Sequence, residues 1–562
     1  MKKFTRRLLT LALSAALLGG CVSALTASAR EPYDVYNYDR WGEAIPSQAG
    51  YIAERAVSGS DLGVGAFESP SDIFCDHTGT FYIVDSGNSR IVAVDSDFRE
   101  AVKVYDSFTM PDGSQTKLKN PQGIFISAEN DLMYIADNEN ARVLISGKDG
   151  RVVREITKPA SEIYDQKRTF LPQRVIADKA GNVYIVLGNI TTGAAMFDPE
   201  GEFIGFYGAN RVQPTAEIVG NYLTSLFTSE EKRARRTRNV PTGITSFDID
   251  GDFIFTCTAS STQTTDTVKK LNAAGNNIFA SNDAVYGDYA PMYDTSQNKL
   301  LAPAIVDIDI AEDGNINCLD FTTGRVFQYD EDCHLLFITG TIAKQVGGFD
   351  HAAALESKGE NLYVVDSRKD TVTIFTETDF GKIVHKATAY YNAGYYEEAL
   401  GPWLEVLKRD GNYHRANIGV ASALLRKGDY EGAMKYAKLA GSGYIYNKAF
   451  EGYRMEFLKK HFGTVFAIAA VFIAALFALG YTLKKRRRAL AAAAKAPADT
   501  DIAKLDLDKG EAAEALRALE AETKADEEAA RLKAEIAAAK ESSAAVENNR
   551  REEQQNDGPE TS

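Results

Sequence analysis

Five cysteines and six histidines are all that 562 residues carry. So few thiols exclude a disulfide scaffold. No Cys-x-x-Cys pair exists, and His77, His334, His351, His385, His414 and His461 lie far apart in sequence, so no zinc or other cofactor is expected. There is no Gly-x-Ser-x-Gly elbow and no Walker loop. Positive charge is also short: 63 Lys and Arg face 78 Asp and Glu, for a net charge of −15. A nucleic-acid binder needs a clustered positive field to neutralise phosphates, so that class of partner is excluded. The composition is otherwise that of a globular protein, which rules out collagen and wholesale disorder. The length allows several domains.

Long apolar runs are few, and two of them speak to location. Lys2, Lys3, Arg6 and Arg7 precede an apolar run from Leu8 to Leu18. A basic start with a short apolar core is the pattern of an export signal. Two processing sites follow. Ala27-Ser28-Ala29 suits cleavage after Ala29, giving a signal over 1–29; Leu18-Gly19-Gly20-Cys21 resembles a lipobox, which would lipidate Cys21 instead. The second run, Gly463 to Leu483, has no charge and is long enough to cross a bilayer as one helix. Lys484, Lys485, Arg486, Arg487 and Arg488 follow it at once, and such a cluster stays on the cytoplasmic side. The expectation is a single-pass bacterial membrane protein, with residues 30–462 outside and the tail within 484–562 inside.

The outer region repeats. Six stretches beginning near residues 69, 120, 171, 240, 302 and 347 align, with Pro70, Pro121, Pro172, Pro241 and Pro303 opening five of them. Gly79, Gly181, Gly251 and Gly314 mark turns between short alternating strands, and Asp85, Asp137, Asp320 and Asp366 recur six or seven residues beyond the turn position. A fixed period of this size means an array whose units cannot bury their faces alone. Four strands per unit make a propeller blade, and six blades close a ring. The segment 50–70 carries a strand that would complete the last blade and cover an otherwise open edge. Tyr82-Ile83-Val84-Asp85-Ser86-Gly87-Asn88-Ser89-Arg90-Ile91 and Tyr134 to Val143 resemble the NHL-repeat family of β-propellers. The resemblance spans about residues 50–376; blades three and four depart from it, with Leu187 and Cys257 where the aspartate belongs. It implies that Asp85, Arg90, Asp137, Arg142, Asp320 and Asp366 are structural repeat residues, which hydrogen-bond between blades; a ligand-facing ring is the alternative.

Between Pro172 and Pro241 the period stretches, and 211–239 is an insertion. Ile218, Val219, Tyr222, Leu223, Leu226 and Phe227 recur at helical spacing. Lys232 follows, then Arg233, Arg235, Arg236 and Arg238. The segment reads as a helical lid with a solvated basic flank; the sharper reading makes these arginines a ligand or partner contact.

After Phe380 the period becomes helical. Gly394, Tyr396, Glu397 and Ala399 return 34 residues later as Gly428, Tyr430, Glu431 and Ala433, which resembles tetratricopeptide repeats. Two repeats fall below the usual minimum, so a module over 381–462 must lean on something. It would serve as a peptide groove or as a stiff spacer. The tail is rich in Ala, Glu and Lys, favours helix and carries too little apolar area for a core.

The fold class is therefore mainly β: a six-bladed propeller over 30–380, a helical module and one transmembrane helix. Cys257, Cys318 and Cys333 fall on neighbouring blades and form one bridge or remain buried thiols. Tyr33, Tyr36, Tyr38 and Trp41 pack on the propeller flank or stack on sugar rings. The expected role is a membrane-embedded scaffold, not an enzyme, which binds a protein or glycan partner outside the membrane, with an accessory place in a transport complex as one form. Six-bladed propellers include calcium-dependent lactonases, so a hydrolase of that type is the rival; a structural spacer is the third reading.

Overall fold

The computed structural model describes residues 33, 35–209, 243–259, 267–279, 284–290, 292–294 and 298–493. Residues 1–460 and 461–562 form separate compact units. The insertion 211–239, the export signal and most of the tail lie outside the described residues.

Among the described residues six antiparallel sheets make the blades, and in the first five each strand pairs with the next in sequence. Blade 1 runs Pro70–Cys75, Phe81–Asp85, Arg90–Val94 and Ala101–Tyr105. Blades 2 and 3 repeat it from Pro121 and Pro172, and blade 5 from Ile305. Blade 4 has three strands among the described residues, starting at Ser246. The second strand of each full blade is buried on both faces, as in Phe81–Asp85, because a propeller sandwiches every sheet between two others. Gly79 and Gly181 turn the first hairpins with φ of +86° and +87°, a region where any side chain is strained.

Blade 6 is closed from the opposite end of the ring. Ala352–Lys358, Asn361–Asp366 and Thr371–Glu377 are its inner three strands, and the outermost is Tyr51–Ser58. Tyr51 lies opposite Glu377 and Ser58 opposite Thr371. The strand expected within 50–70 thus covers the one edge that a linear array leaves open.

Five helices follow among the described residues. They are α1 (Asp379–Asn392), α2 (Tyr396–Arg409), α3 (His414–Lys427), α4 (Tyr430–Leu439) and α5 (Gly443–Ala493). Gly428, one of the repeated glycines, adopts φ +83° and ends α3. α5 is one helix of 51 residues, longer at both ends than the apolar run 463–483, and long and apolar enough to cross a membrane. Its apolar residues from Val465 to Leu483 are exposed.

α1 to α3 share one core with blades 5 and 6. Phe337, Phe349 and Phe375 of the blades meet Phe380, Trp403 and Tyr413 of the helices. The ring of Trp403 fills the space above Gly419, where a Cβ would sit 2.3 Å from its Nε1. Arg415, 1% exposed, donates from Nε to Asp330 of blade 5 at 2.5 Å, and its guanidinium lies 4.3 Å from the Tyr391 ring. A polar path also crosses blade 5. His385 of α1 meets Gln328 at 2.7 Å, Gln328 donates to Asn317 at 3.0 Å, and Asn317 donates to Asp309 at 2.8 Å. A pair of helical hairpins too short to stand alone is stabilised by burial against the propeller.

Although burial opposes it, Arg415 and His334 bring the Asp330 carboxyl down to about 2. Its share of stability is present above the ordinary carboxylate range and is lost as pH falls towards 2. Asp330→Asn strips a buried guanidinium of its counter-charge and should cost about 3–5 kcal/mol in denaturant unfolding. An unchanged midpoint would show that the pair does not hold the helices.

Candidate functional site

The innermost strands stand side by side round the ring, and 352–358 returns to neighbour 70–75. Their side chains alternate between the channel and the sheet faces, so two layers of each strand meet on the axis. One layer carries Asp72, Gly123, Arg174, Ser246 and Asp307. The next carries Phe74, Phe125 and Ile176 from blades 1 to 3, but Asp248, Asp309 and Glu356 from blades 4 to 6. Half of that layer is apolar and half is acidic. Together they enclose a chamber of about 40 Å³.

Each acid in this chamber reaches forward to the next blade. Asp72 accepts from the Ile124 amide at 2.8 Å, and Asp248 from the Ile310 amide at 2.7 Å. Asp307 accepts from Leu355 at 2.7 Å and Asp309 from Ser357 at 3.1 Å. Glu356 closes the circle by accepting from the Cys75 amide. Arg174 is their single counter-charge among the described residues of the chamber. Its Nη atoms donate to the carbonyls of Gln122 at 2.6 Å, Ser71 at 3.2 Å and Ala353 at 3.4 Å, so one side chain ties blade 3 to blades 2, 1 and 6. Its Nε is 3.7 Å from Asp72. At Gly123 a Cβ would lie 2.5 Å from the Gln173 carbonyl, which explains the glycine beside this arginine.

Burial and mutual repulsion hold these acids towards their neutral forms. Burial pushes Asp248 up to about 8, Asp72 to about 7 and Asp309 to about 6. Asp307 and Glu356 are raised as well, by the same loss of solvent. Arg174 works against the shift at Asp72 and Asp307.

Above Arg174 the channel widens into a mouth of about 520 Å³, to which all six blades contribute. Asn120, Gln122 and Gln173 bring amides, Ser71, Ser86 and Ser367 hydroxyls. The floor is already knit: Ser86 Oγ lies 2.6 Å from both Ser71 Oγ and the Pro121 carbonyl oxygen. Phe321 stands on the rim, 39% exposed, edge-on to His351 at 4.5 Å.

The repeat residues lie elsewhere, at the entry of each blade. Asp85 accepts from the Glu68 amide and from Arg90 Nε at 2.7 Å, while Arg90 donates to the Val64 and Ala66 carbonyls. Asp137 and Arg142 do the same with Lys119, Thr116 and Lys117. These pairs clamp the segment arriving from the preceding blade. Asp320 and Asp366 clamp theirs without an arginine: Asp320 accepts from Ala304 and Thr323, and Asp366 from Asp350 and His351. The neighbouring Arg325 turns instead to Asp288 at 2.6 Å. Arg233, Arg235, Arg236, Arg238 and Cys21 lie outside the described residues. Cys75, Cys257, Cys318 and Cys333 are free thiols.

The aromatic segment after residue 31 divides. Tyr36 and Tyr38 donate to Asp288 and pack on blade 5. Trp41 is 71% exposed beside a basin of about 640 Å³, with the Arg40 guanidinium 4.0 Å over its ring.

No protein-family model matches the chain, and no curated protein matches it. Among solved structures, virginiamycin B lyase from Staphylococcus aureus is 10% identical, covering 55% of this chain and 95% of its own, with a TM-score of 0.33. The β-propeller domain of Cps50 (Swd1) from Myceliophteria thermophila is 9% identical, covering 58% and 100%, with a TM-score of 0.34. A protein of unknown function from Bacteroides thetaiotaomicron is 12% identical, covering 61% and 76%, with a TM-score of 0.36. The six-bladed assignment rests on the strand order itself.

Sequence reading missed the channel. Asp72, Asp248, Asp307, Asp309 and Glu356 fall one per inner strand or two, among many other acids, and only ring closure brings them together. The signal that was available was Asp307 and Asp309 in Ile305–Ile310, two ionisable side chains on one face of a strand otherwise apolar.

Because the folded acids bind protons more tightly than the unfolded chain, their share of stability should be complete below the ordinary carboxylate value of about 4 and be lost as pH rises from there through 6 to 8. Asp248→Asn should flatten that fall in a pH series of thermal melts. A midpoint that climbs steadily to pH 8 would contradict the shifted acids.

Proposed function

We propose that this chain is a membrane-anchored binding protein that presents its propeller outside the membrane to a protein or glycan partner. The observation that carries the reading is the division of labour along the axis. The channel acids are engaged by backbone amides and Arg174, whereas the mouth holds amides, hydroxyls, His351 and Phe321 facing open space. Groups of that kind recognise; they do not by themselves assemble a nucleophile with its base. In this reading the blades are of NHL type, the helices are tetratricopeptide-like, the chain is exported through its basic-apolar leader, and Lys484–Arg488 keep the tail in the cytoplasm. A place beside a transport complex fits a chain with an outer platform and an inner tail.

A lactonase-type hydrolase is the second reading, favoured by the convergence of five acids on one channel. Against it, their oxygens are already committed. Among the described residues no group of three His, Cys, Asp or Glu side chains is placed to hold a metal ion. The acid set therefore does not fit the calcium of that class.

A photo-crosslinking amino acid at Gln173, on the rim, should capture a discrete adduct in native membranes. The same probe at Thr78, in the first hairpin turn at the opposite end of the inner strand, should not. Adducts at neither position would favour a spacer. Lactone hydrolysis abolished by Asp309→Asn would favour the enzyme.

For topology, with the native cysteines replaced by serine, a Thr500→Cys variant should react with a membrane-impermeant thiol reagent only after the cytoplasmic side is opened. Labelling of that variant in intact cells would reverse the orientation.

A further inference from the structure

The mouth of the channel has a chemical character that narrows its ligand. Arg174 is the only ionised side chain among the described residues that line it. Its Nη atoms are taken by four backbone carbonyls, and Asp72 lies beside its Nε. An anionic ligand would find no free cation there. A basic peptide would find no carboxylate, because the acids lie below the arginine in the closed chamber. What faces the opening is neutral. The Gln173 side chain is exposed and has no hydrogen-bond partner among the described residues, and neither ring nitrogen of His351 has one. Gln122 points its amide nitrogen at Asn120 Oδ1 at 2.9 Å, which leaves its own oxygen free to accept.

Phe321 adds a flat apolar surface beside these polar groups, held in place by edge-on contact with His351. A ligand that suits both must present a face of C–H bonds and an edge of hydroxyls. Aromatic rings pair an apolar face with polar neighbours in this way, and amides supply a donor and an acceptor side by side. The volume of about 520 Å³ is within the range of small-molecule sites.

We propose that the channel mouth binds a neutral saccharide, with a sugar ring on Phe321 and its hydroxyls hydrogen-bonded to Gln122, Gln173 and His351. The inference rests on the binding reading above and specifies its ligand.

The test uses the full chain in an amine-oxide detergent, since a maltoside detergent is itself a neutral sugar. Saturation-transfer NMR and calorimetry are run with cellobiose, maltose and N,N′-diacetylchitobiose. Glucose 6-phosphate and trilysine serve as charged comparators. The expected result is saturable binding of at least one neutral disaccharide by about 10 mM, weakened about ten-fold or more by Phe321→Ala and by Gln173→Ala. Phe321→Trp keeps the platform and should keep the binding, which separates loss of contact from loss of fold. Trp41→Ala, at an exposed aromatic that does not line the mouth, should leave it unchanged. No saturable binding of any of the three disaccharides overturns the proposal, as does binding indifferent to Phe321→Ala or preference for the charged comparators. If the Gln173 photo-adduct persists while all sugars fail, the ligand inference falls alone and the binding reading stands.

Discussion

Closing a ring of six sheets demands that each inner strand be held to the next with no free edge, and the channel acids meet that demand here. A carboxylate on one blade accepts an amide from the following blade at four of the junctions round the ring: 1 to 2, 4 to 5, 5 to 6 and 6 to 1. Where blades 2 to 4 meet, Phe125, Ile176 and Phe247 pack instead, and Arg174 reaches back to the Gln122 carbonyl. The arrangement concentrates carboxyl groups in a dry chamber, and the physical consequence is a raised proton affinity. An acid that keeps its proton can still accept an amide hydrogen bond, while it no longer repels its neighbours.

The same blade that carries two of those acids also carries the helical module. Asp330 receives Arg415, the shared core joins Phe337 to Trp403 and Tyr413, and the path from His385 through Gln328 and Asn317 ends on Asp309. Blade 5 is thus fixed from the axis and from its outer edge. Two helical hairpins gain from it the neighbour that a longer array would supply for itself.

Much of the fold was legible in the chain. The proline-opened units, the turn glycines Gly79 and Gly181, and the closing strand within 50–70 all report local needs: a fixed φ, a positive φ, a covered edge. Each is satisfied by a few adjacent residues, so each leaves a mark in one stretch of sequence. Asp85 and Arg90 were legible for the same reason, since five residues and one hairpin separate them. The helix running back from Gly463 was legible over 449–462, where AFEGYRMEFLKKHF reads as helix leading into the apolar segment, and the structure extends it to Gly443.

The channel was not legible. Asp72 and Leu355 are far apart in sequence from the partners that define them, and Arg174 touches blades 1, 2, 3 and 6 only because the ring is closed. What the sequence by itself determined was the repeat, its six-fold count, the change to helix after Phe380 and one apolar segment able to cross a membrane, because these follow from periodicity and composition along the chain. Which of its many acids are buried, raised in proton affinity and bound to a neighbouring blade, and which polar groups are left facing the mouth, was decided only by tertiary structure. Those properties depend on distance and solvent exclusion, and neither exists until the last blade is closed by the first strand.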